Sequence, residues 1–364
     1  MKVLISLDGE AVLKELTVTP PARIPAALPH PGFVRCTVLP LTRNAKPILC
    51  AVGVDPDQLR PLLLEPADFD EFWKNTKKEL SAIPADFKMH KIGSNKTFNY
   101  YQISCANLNG QRAYAFLSLP VDPSRKMPLY VRAPGGEGTC SEDMIERSVK
   151  EEMGFECARL IFQLPPYPPV KKDADRKTRQ DKFLKEIGVE HYAFYGLNDR
   201  NKFYARTAVA GCLRLLDEAL KQPGLDLDRV VYYGSSHGGA FGLYLAAFSD
   251  KLKAAFCGVP AYADRGGFLA GRNTPVCNYP ELRKNLENAL YFDTAFAARR
   301  IEIPVMIGVG FIDVSCPPSA VYTIYNELRG PKLIFNKIKH GHEDSSPEYL
   351  PLSFQWLAGQ ITFP

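Results

Sequence analysis

Apolar and polar residues alternate along the first part of the chain, a pattern typical of half-buried β-strands. The segment KVLISLDGEAVLKELTV consists of two alternating runs joined by Asp8 and Gly9, and an Asp-Gly pair between such runs favours a hairpin. FVRCTVLPL and AKPILCAVGV are also strand-like, whereas the proline-rich TPPARIPAALPHPG before them is not helical. We therefore expect a small Ig-like β-sandwich module, incomplete by a strand or two, over residues 1–62.

The pattern changes to a helical period in EPADFDEFWKNTKKELSAIP. Phe69, Phe72 and Trp73 fall on one face of this segment, and Asp68 or Asp70 can cap its amino end. The segment is predicted to be an entry helix within a linker over residues 63–97.

Strand-like and helical segments alternate from residue 98 to the end of the chain. Several later strands are nearly continuous apolar runs bounded by Gly or Pro, as in a parallel sheet covered by helices on both faces. The predicted strands are TFNYYQISCA, RAYAFLSLP, MPLYVRAP, CARLIFQL, RVVYYG, KAAFCGV, PVMIGVG and KLIFNKI, and the predicted helices span 203–222, 238–248, 319–328 and 347–359. We expect an α/β domain over 98–364 with a mainly parallel sheet and a site at the carboxyl ends of its strands.

Composition and charge exclude several functions. The net charge is +5 over 364 residues, and the densest Lys and Arg clusters alternate with Asp, so nucleic-acid binding is not expected. The nine cysteines contain no C-x-x-C pair, which argues against a structural zinc site. No stretch approaches the roughly 18–20 apolar residues of a membrane span, so no membrane partner is expected.

The first residues, MKVLISL, contain an apolar run too short for the core of a signal peptide. A secreted or periplasmic location would require a signal that precedes this numbering, and without one the protein would be cytoplasmic. The localisation is therefore unknown from the sequence.

The sequence Gly234-Ser235-Ser236-His237-Gly238 fits the G-x-S-x-G motif. The predicted strand RVVYY precedes it and the small-residue segment GGAFGLYLAAF follows, which is the strand–turn–helix context that a nucleophile elbow requires. The two outer glycines would allow strand and helix to close around the serine. Ser236 is therefore predicted to be a nucleophile, and an ordinary glycine-rich corner is the alternative.

A serine nucleophile needs a base and an acid that orients the base, in the chain order Ser, Asp or Glu, His for this kind of fold. His340 and His342 are the histidines that follow Ser236, and both lie after the predicted strand KLIFNKI. His342 is preferred because Gly341 allows the loop to turn the imidazole inward. His340 remains the alternative.

The acid is expected after the preceding strand, in IPVMIGVGFIDVSCPPS, where Asp313 follows a buried run. Asp264 and Asp293 are competitors, although Asp293 is also placed to cap a helix. Glu343 and Asp344 are too close in sequence to the predicted base to reach it.

A tetrahedral intermediate requires hydrogen-bond donors for its oxyanion. One donor would be the backbone N–H of His237, which follows the nucleophile. The other is predicted to be the N–H of Gly136, in the glycine-rich loop LYVRAPGGEGT, with an ordinary turn at Gly135 and Gly136 as the alternative. The side chain of His237 either lines the pocket or accepts a nearby hydrogen bond.

Several of these segments together resemble the acetyl xylan esterase and cephalosporin C deacetylase family, carbohydrate esterases with an α/β-hydrolase fold. DFDEFWKNTKKEL resembles the entry helix of that family, and YGSSHGG resembles its serine elbow, where glutamine usually replaces His237. LYFDTAFAARRIEIPVMIGVGFIDVSCPPSAVYTIYNELRGPKLI resembles its acid segment, including Asp313, and HGHE its histidine signature. The resemblance covers roughly residues 66–364.

The resemblance implies a serine carboxylesterase that deacetylates acetylated sugars or xylan-derived oligosaccharides through an acyl-enzyme, without a metal or cofactor. It also implies a bacterial branch with an added N-terminal module. The Arg-Gly-Gln motif of the family is replaced by FQLPPYPPVKKDAD. A small acetylated carbohydrate is the expected partner, and a homo-oligomer is compatible with the sequence.

Two other functions compete with this interpretation. A serine peptidase of the prolyl-oligopeptidase type would have the same triad, but it typically needs a propeller, for which the N-terminal module is too small. A non-catalytic binding protein on a hydrolase scaffold is disfavoured by the presence of all three triad residues. The segment 264–300, between two core strands, is expected to cover the site and to shape the acyl pocket.

Overall fold

The structure is a computed structural model, and it describes residues 1–364 except 10, 26, 43, 44, 137, 192, 193, 274–279, 344–348, 363 and 364. Asp344 and the start of the predicted helix 347–359 therefore lie outside the described residues. The division of the chain into 1–62, 63–97 and 98–364 stays a prediction.

The N-terminal part forms one antiparallel sheet of four strands in the order β2-β1-β3-β4. The strands are β1 (Lys2–Leu7), β2 (Ala11–Thr17), β3 (Gly32–Leu39) and β4 (Ile48–Val54). β1 and β2 pair across the turn that contains Asp8 and Gly9, so the predicted hairpin is confirmed.

A sandwich would have two facing sheets, but the described residues of this module contain one. Val3, Ile5 and Val34 form a small buried cluster on the sheet. Ile24 and Leu28, from the proline-rich segment, pack against that cluster. An irregular segment thus covers apolar side chains that a second sheet would cover in a sandwich.

The larger sheet has nine strands in the order β13-β12-β11-β10-β8-β9-β7-β6-β5. The strands from β13 to β9 in this order are parallel, and β7, β6 and β5 are antiparallel, so the predicted mainly parallel sheet is confirmed. The strands are β5 (Lys88–Ser94), β6 (Phe98–Ala106), β7 (Arg112–Pro120), β8 (Met127–Arg132), β9 (Ala158–Gln163), β10 (Leu225–Ser235), β11 (Ala254–Gly258), β12 (Val305–Gly310) and β13 (Lys332–Lys337).

Helices cover both faces of this sheet. Alternate residues of β10 illustrate the two layers, because Tyr232 belongs to the core cluster beneath α5 and α6, whereas Tyr233 packs with Phe354 of α11. The helices are α1 (Phe69–Ala82), α2 (Glu142–Glu146), α3 (Lys150–Met153), α4 (Arg176–Ile187), α5 (Tyr204–Leu220), α6 (His237–Phe248), α7 (Pro280–Lys284), α8 (Leu286–Leu290), α9 (Thr294–Ala298), α10 (Pro318–Glu327) and α11 (Leu350–Thr362).

The predicted entry helix is α1, and its apolar face is buried as expected. The Trp73 ring stacks on Phe248 with 4.4 Å between centroids, and its Nε1 donates to the carbonyl oxygen of Tyr291. Asp68 precedes the helix, but its side chain makes no capping bond. Its carboxylate instead accepts from the Tyr291 hydroxyl and from Arg200, so this acid ties the helix to the domain.

None of the helices in the described part of the chain is long and apolar enough to cross a membrane.

Candidate active site

Ser236 occupies the turn between β10, which ends at Ser235, and α6, which begins at His237. Its backbone angles are φ 57° and ψ −120°, a conformation that costs free energy for a residue other than glycine. The flanking glycine at 238 is required by space, since a Cβ there would lie 2.3 Å from the carbonyl oxygen of Ala133. The predicted strand–turn–helix arrangement around Ser236 is confirmed.

His342 lies between Ser236 and Asp313. Its Nε2 is 2.9 Å from the Oγ of Ser236, and its Nδ1 is 2.9 Å from the Oδ2 of Asp313. Because a carboxylate oxygen accepts, Nδ1 donates to Asp313, and Nε2 presents its lone pair to the serine hydroxyl. The imidazole is therefore oriented as a base toward the serine.

The carboxylate of Asp313 is held on both oxygens. Oδ1 accepts from the backbone N–H of Ser315 at 2.7 Å and of Cys316 at 2.9 Å, and Oδ2 faces His342. The Asp313 side chain is fully buried, so these bonds are shielded from competition with water. The acid is thus fixed before any substrate binds.

The loops that carry Asp313 and His342 meet because β12 and β13 are parallel neighbours whose carboxyl ends, Gly310 and Lys337, are in register. The histidine loop crosses directly over Gly310, where a Cβ would lie 2.1 Å from the carbonyl oxygen of Gly341. A glycine at the end of β12 is therefore needed for the histidine to reach the acid.

The competing acids and the second histidine are engaged elsewhere. Asp293 caps α9 and accepts from backbone N–H groups, and burial raises its pKa to about 7. Asp264 pairs with Arg272 at 2.6 Å. The Nδ1 of His340 lies 3.3 Å from the carboxylate of Glu343. The geometry thus favours the preferred residues over the alternatives that the sequence left open.

The loop after β8 lies against the elbow. A Cβ on Gly135 would lie 3.2 Å from the carbonyl oxygen of Ser235 and 3.8 Å from the Cβ of Ser236. Gly136 follows with φ 57°, and a Cβ on it would meet nothing within 4 Å. Among the described residues, the side of Gly136 on which a Cβ would lie is therefore open, while the preceding glycine lies against the serine.

The same loop is also held from β9. The backbone N–H of Cys140 donates to the side-chain oxygen of Gln163 at 2.7 Å, and the hydroxyls of Thr139 and Tyr167 are 2.7 Å apart. Gln163 and Tyr167 belong to FQLPPYPPVKKDAD, the segment that stands where the Arg-Gly-Gln motif was expected. This segment supports the loop with different side chains.

The side chain of His237 connects the Gly136 loop to the domain core. Its Nδ1 is 2.9 Å from the carbonyl oxygen of Gly136, and its Nε2 is 2.7 Å from the Tyr204 hydroxyl. Burial lowers the pKa of His237 to about 3, so the ring is neutral at neutral pH. A carbonyl oxygen only accepts, so Nδ1 carries the proton and Nε2 accepts from Tyr204.

The Tyr204 hydroxyl, having donated to His237, accepts from the Tyr262 hydroxyl 2.5 Å away. The direction of each hydrogen bond in this series is therefore determined by the carbonyl at its end. Sequence reasoning did not find either tyrosine, because Tyr204 begins α5 and Tyr262 follows β11 without any local motif.

The segment 264–300 contributes to the interior of the domain. Phe292 is fully buried and packs against Phe203 and Trp73, with centroid distances of 4.8 and 5.6 Å. Phe292 lies in the core cluster of the domain. That the segment covers the site and shapes the acyl pocket stays a prediction. Residues 274–279 of this segment lie outside the described residues.

No group of three or more His, Cys, Asp or Glu side chains that could hold a metal ion occurs among the residues that the structure describes.

The family described as Acetyl xylan esterase (AXE1) matches residues 57–359. The acetyl esterase Axe7A of Xylanibacter ruminicola is 28% identical over 318 residues, which cover 85% of this chain and 71% of that protein.

Two solved structures, an acetyl xylan esterase from Paenibacillus sp. R4 and acetyl xylan esterase 1 from Thermoanaerobacterium sp. JW/SL YS485, each superpose with a TM-score of 0.70 at 20% identity. Each covers 84% of this chain and 98% of its own. The shared architecture confirms the predicted α/β-hydrolase fold. Because the family match spans most of the chain, this protein belongs to the acetyl xylan esterase family and is a carboxylic ester hydrolase.

Proposed function

We propose that this protein is a serine esterase that removes acetyl groups from acetylated sugars or xylan-derived oligosaccharides, with Ser236, His342 and Asp313 as its catalytic triad. The observation that carries the proposal is the series of two 2.9 Å hydrogen bonds that joins the three side chains. Family membership and the acetyl esterase relative support the acyl group and the class of alcohol.

In the first half of the reaction, Oγ of Ser236 attacks the ester carbonyl while Nε2 of His342 takes the hydroxyl proton. Collapse of the tetrahedral intermediate breaks the bond to the sugar oxygen, and His342 returns the proton to that leaving oxygen. Asp313 orients the imidazole and stabilises its positive charge. In the second half, His342 takes a proton from a water molecule as the water attacks the acetyl-serine. Collapse of the second tetrahedral intermediate releases acetate, and His342 returns the proton to Oγ of Ser236.

The oxyanion would be bound by the backbone N–H groups of His237 and Gly136. His237 is the first residue of α6, so its N–H lies at the positive end of the helix dipole. Gly136 belongs to the loop that lies against the elbow, where a Cβ on the preceding Gly135 would lie 3.8 Å from the Cβ of Ser236. A negative charge that develops beside Ser236 would be stabilised by both groups.

The imidazole of His237 would keep the Gly136 loop in place, and replacing it should therefore weaken this oxyanion site. We expect His237→Leu, which removes the donor to the Gly136 carbonyl, to lower kcat on an aryl acetate by about 10-fold to 100-fold, with KM nearly unchanged. His237→Gln retains an N–H donor and should lose much less. Steady-state kinetics of both variants test this role, and a wild-type kcat in His237→Leu would refute it.

The substrate is tested by one panel measured on a single preparation. It contains an acetylated monosaccharide, acetylated xylan oligosaccharides, cephalosporin C, a butyryl ester of one of these sugars and an aminoacyl amide. We expect the acetylated carbohydrates to be hydrolysed with the highest kcat/KM, and intact mass spectrometry after rapid quenching to show one acetyl group on the enzyme.

Two outcomes of the panel would contradict the proposal. Faster cleavage of the aminoacyl amide than of any ester would indicate a peptidase. No turnover of any compound, together with no labelling of Ser236 by a fluorophosphonate, would indicate a binding protein on a hydrolase scaffold.

A further inference from the structure

The N-terminal sheet contacts the loop that carries Asp313. Arg35 of β3 extends its guanidinium into this loop, and its Nη2 donates to the backbone carbonyl oxygen of Asp313 at 2.6 Å. The Arg35 side chain is buried, with 3% of its surface exposed. The carboxylate of Asp313 is thus held by its own loop, while its carbonyl is held by a residue 278 positions away in the chain.

A second contact lies just beyond that loop. Asp8, in the turn between β1 and β2, accepts a hydrogen bond from the hydroxyl of Ser319 in the first turn of α10. Asp8 is fully buried, and burial raises its pKa to about 7. Its backbone N–H donates to the carbonyl of Phe33 at 2.7 Å, which ties the turn to β3.

A third contact is apolar. The ring of Phe33, which is fully buried, lies edge-on to Phe311 with 5.1 Å between centroids. It also packs at 5.4 Å against Tyr322 of α10. Phe33, Arg35 and Asp8 therefore contact the chain on both sides of the acid and at the acid itself.

A buried arginine is not needed merely to hold the N-terminal sheet against the α/β domain, because apolar contacts would be enough for that. Burial lowers the pKa of the Arg35 guanidinium, which means that the charged group is held there at a cost in solvation, offset by the nearby charges of Asp8 and Asp313. An apolar side chain would avoid this cost. The guanidinium does what an apolar side chain cannot, because it fixes the peptide group of the residue that must face His342.

We propose that Arg35 is a positioning residue for Asp313. Through Arg35, the N-terminal sheet helps to hold the acid in place beside His342. The inference rests on the proposed role of Asp313 as the acid of the triad. The match to the acetyl xylan esterase family begins at residue 57, so Arg35 and Asp8 lie outside the matched part of the chain.

Three variants test the inference, with kcat and KM on an aryl acetate and the thermal midpoint measured for each. Arg35→Met removes the bond to Asp313, and Arg35→Lys retains the charge with a single donor nitrogen. Val3→Ala is the matched control, because Val3 is buried in the separate core of the N-terminal sheet. The substitution should weaken that core and leave the loop that carries Asp313 unchanged.

We expect Arg35→Met to lower kcat by about 10-fold to 100-fold with KM within about twofold, since a displacement of a catalytic group by about 1 Å costs up to about 100-fold. Arg35→Lys should recover part of this loss. Val3→Ala should retain the wild-type kcat below its own unfolding transition, even where its midpoint falls as far as that of Arg35→Met.

A wild-type kcat in Arg35→Met would overturn the inference, and so would a loss in Val3→Ala equal to that in Arg35→Met, because the sheet would then act only through overall stability. If Arg35→Met does not fold, Arg35→Lys decides: a lowered kcat at an unchanged midpoint supports the inference, and an unchanged kcat refutes it. Ser236→Ala in the same series distinguishes failure of the inference about Arg35 from failure of the proposed function. Activity in Ser236→Ala would refute the proposed function itself.

Discussion

Ser236→Ala is expected to lower kcat on acetyl esters by about a million-fold, the loss found when the nucleophile is removed from a Ser-His-Asp triad. The variant retains His342 and Asp313, but no atom remains that could form the acyl-enzyme. Binding of the ester should change little, because the hydroxyl is a small part of the contact surface. The measurement is single-turnover and steady-state kinetics on an aryl acetate, with labelling by a fluorophosphonate in parallel.

The neighbouring serine provides a matched control. The hydroxyl of Ser235 is buried and has no hydrogen-bond partner among the residues that the structure describes. Ser235→Ala should therefore retain nearly all activity and label normally, although it removes the same atom one residue away. If Ser235→Ala lost activity and Ser236→Ala retained it, the nucleophile would be Ser235 and the assignment of Ser236 would be wrong.

Asp313→Asn is expected to lower kcat by about 10⁴-fold, as in other triads in which the acid becomes an amide. The reason follows from the bonds to the carboxylate. Two backbone N–H groups donate to Oδ1, so the amide oxygen of the variant would occupy that side. Its NH₂ group would then face Nδ1 of His342, which must accept, and Nε2 would present a proton to Ser236 instead of a lone pair.

Asp293→Asn is the control for this prediction. Asp293 is also buried and also accepts from backbone N–H groups, but it caps α9 and does not contact His342. Its amide variant should retain kcat within about tenfold. A comparable loss in both variants would show that the effect comes from disturbing a buried carboxylate in general, and the role of Asp313 as triad acid would then be wrong.

The three side chains of the proposed triad could be identified from the sequence because each follows its own strand. Ser236 comes directly after β10, and Asp313 and His342 lie in the loops that follow β12 and β13. The carboxyl ends of parallel strands meet at one edge of a sheet. The chain order and the small residues around the serine then restrict the choice among acids and histidines. Hydrophobic periodicity was also sufficient for the N-terminal hairpin, α1 and eight of the nine strands in the large sheet.

The edge strand β5 was missed for a local reason. Its residues, KMHKIGS, are mostly exposed and show no apolar alternation, because only one neighbouring strand and little of the core cover it. Its pairing with β6, rather than its own side chains, makes it a strand.

The polar contacts around the proposed triad could be seen only in the folded chain. The sequence placed His237 beside the nucleophile, but the proton positions on its ring follow from the Gly136 carbonyl and Tyr204, which arrive from other elements. The sequence likewise predicted a turn at Asp8 and a strand through Arg35, without any sign that both reach the acid loop. The hydrophobic periodicity of the sequence predicts which side chains each helix or strand buries. Which buried polar groups meet across hundreds of residues is set by how the elements pack.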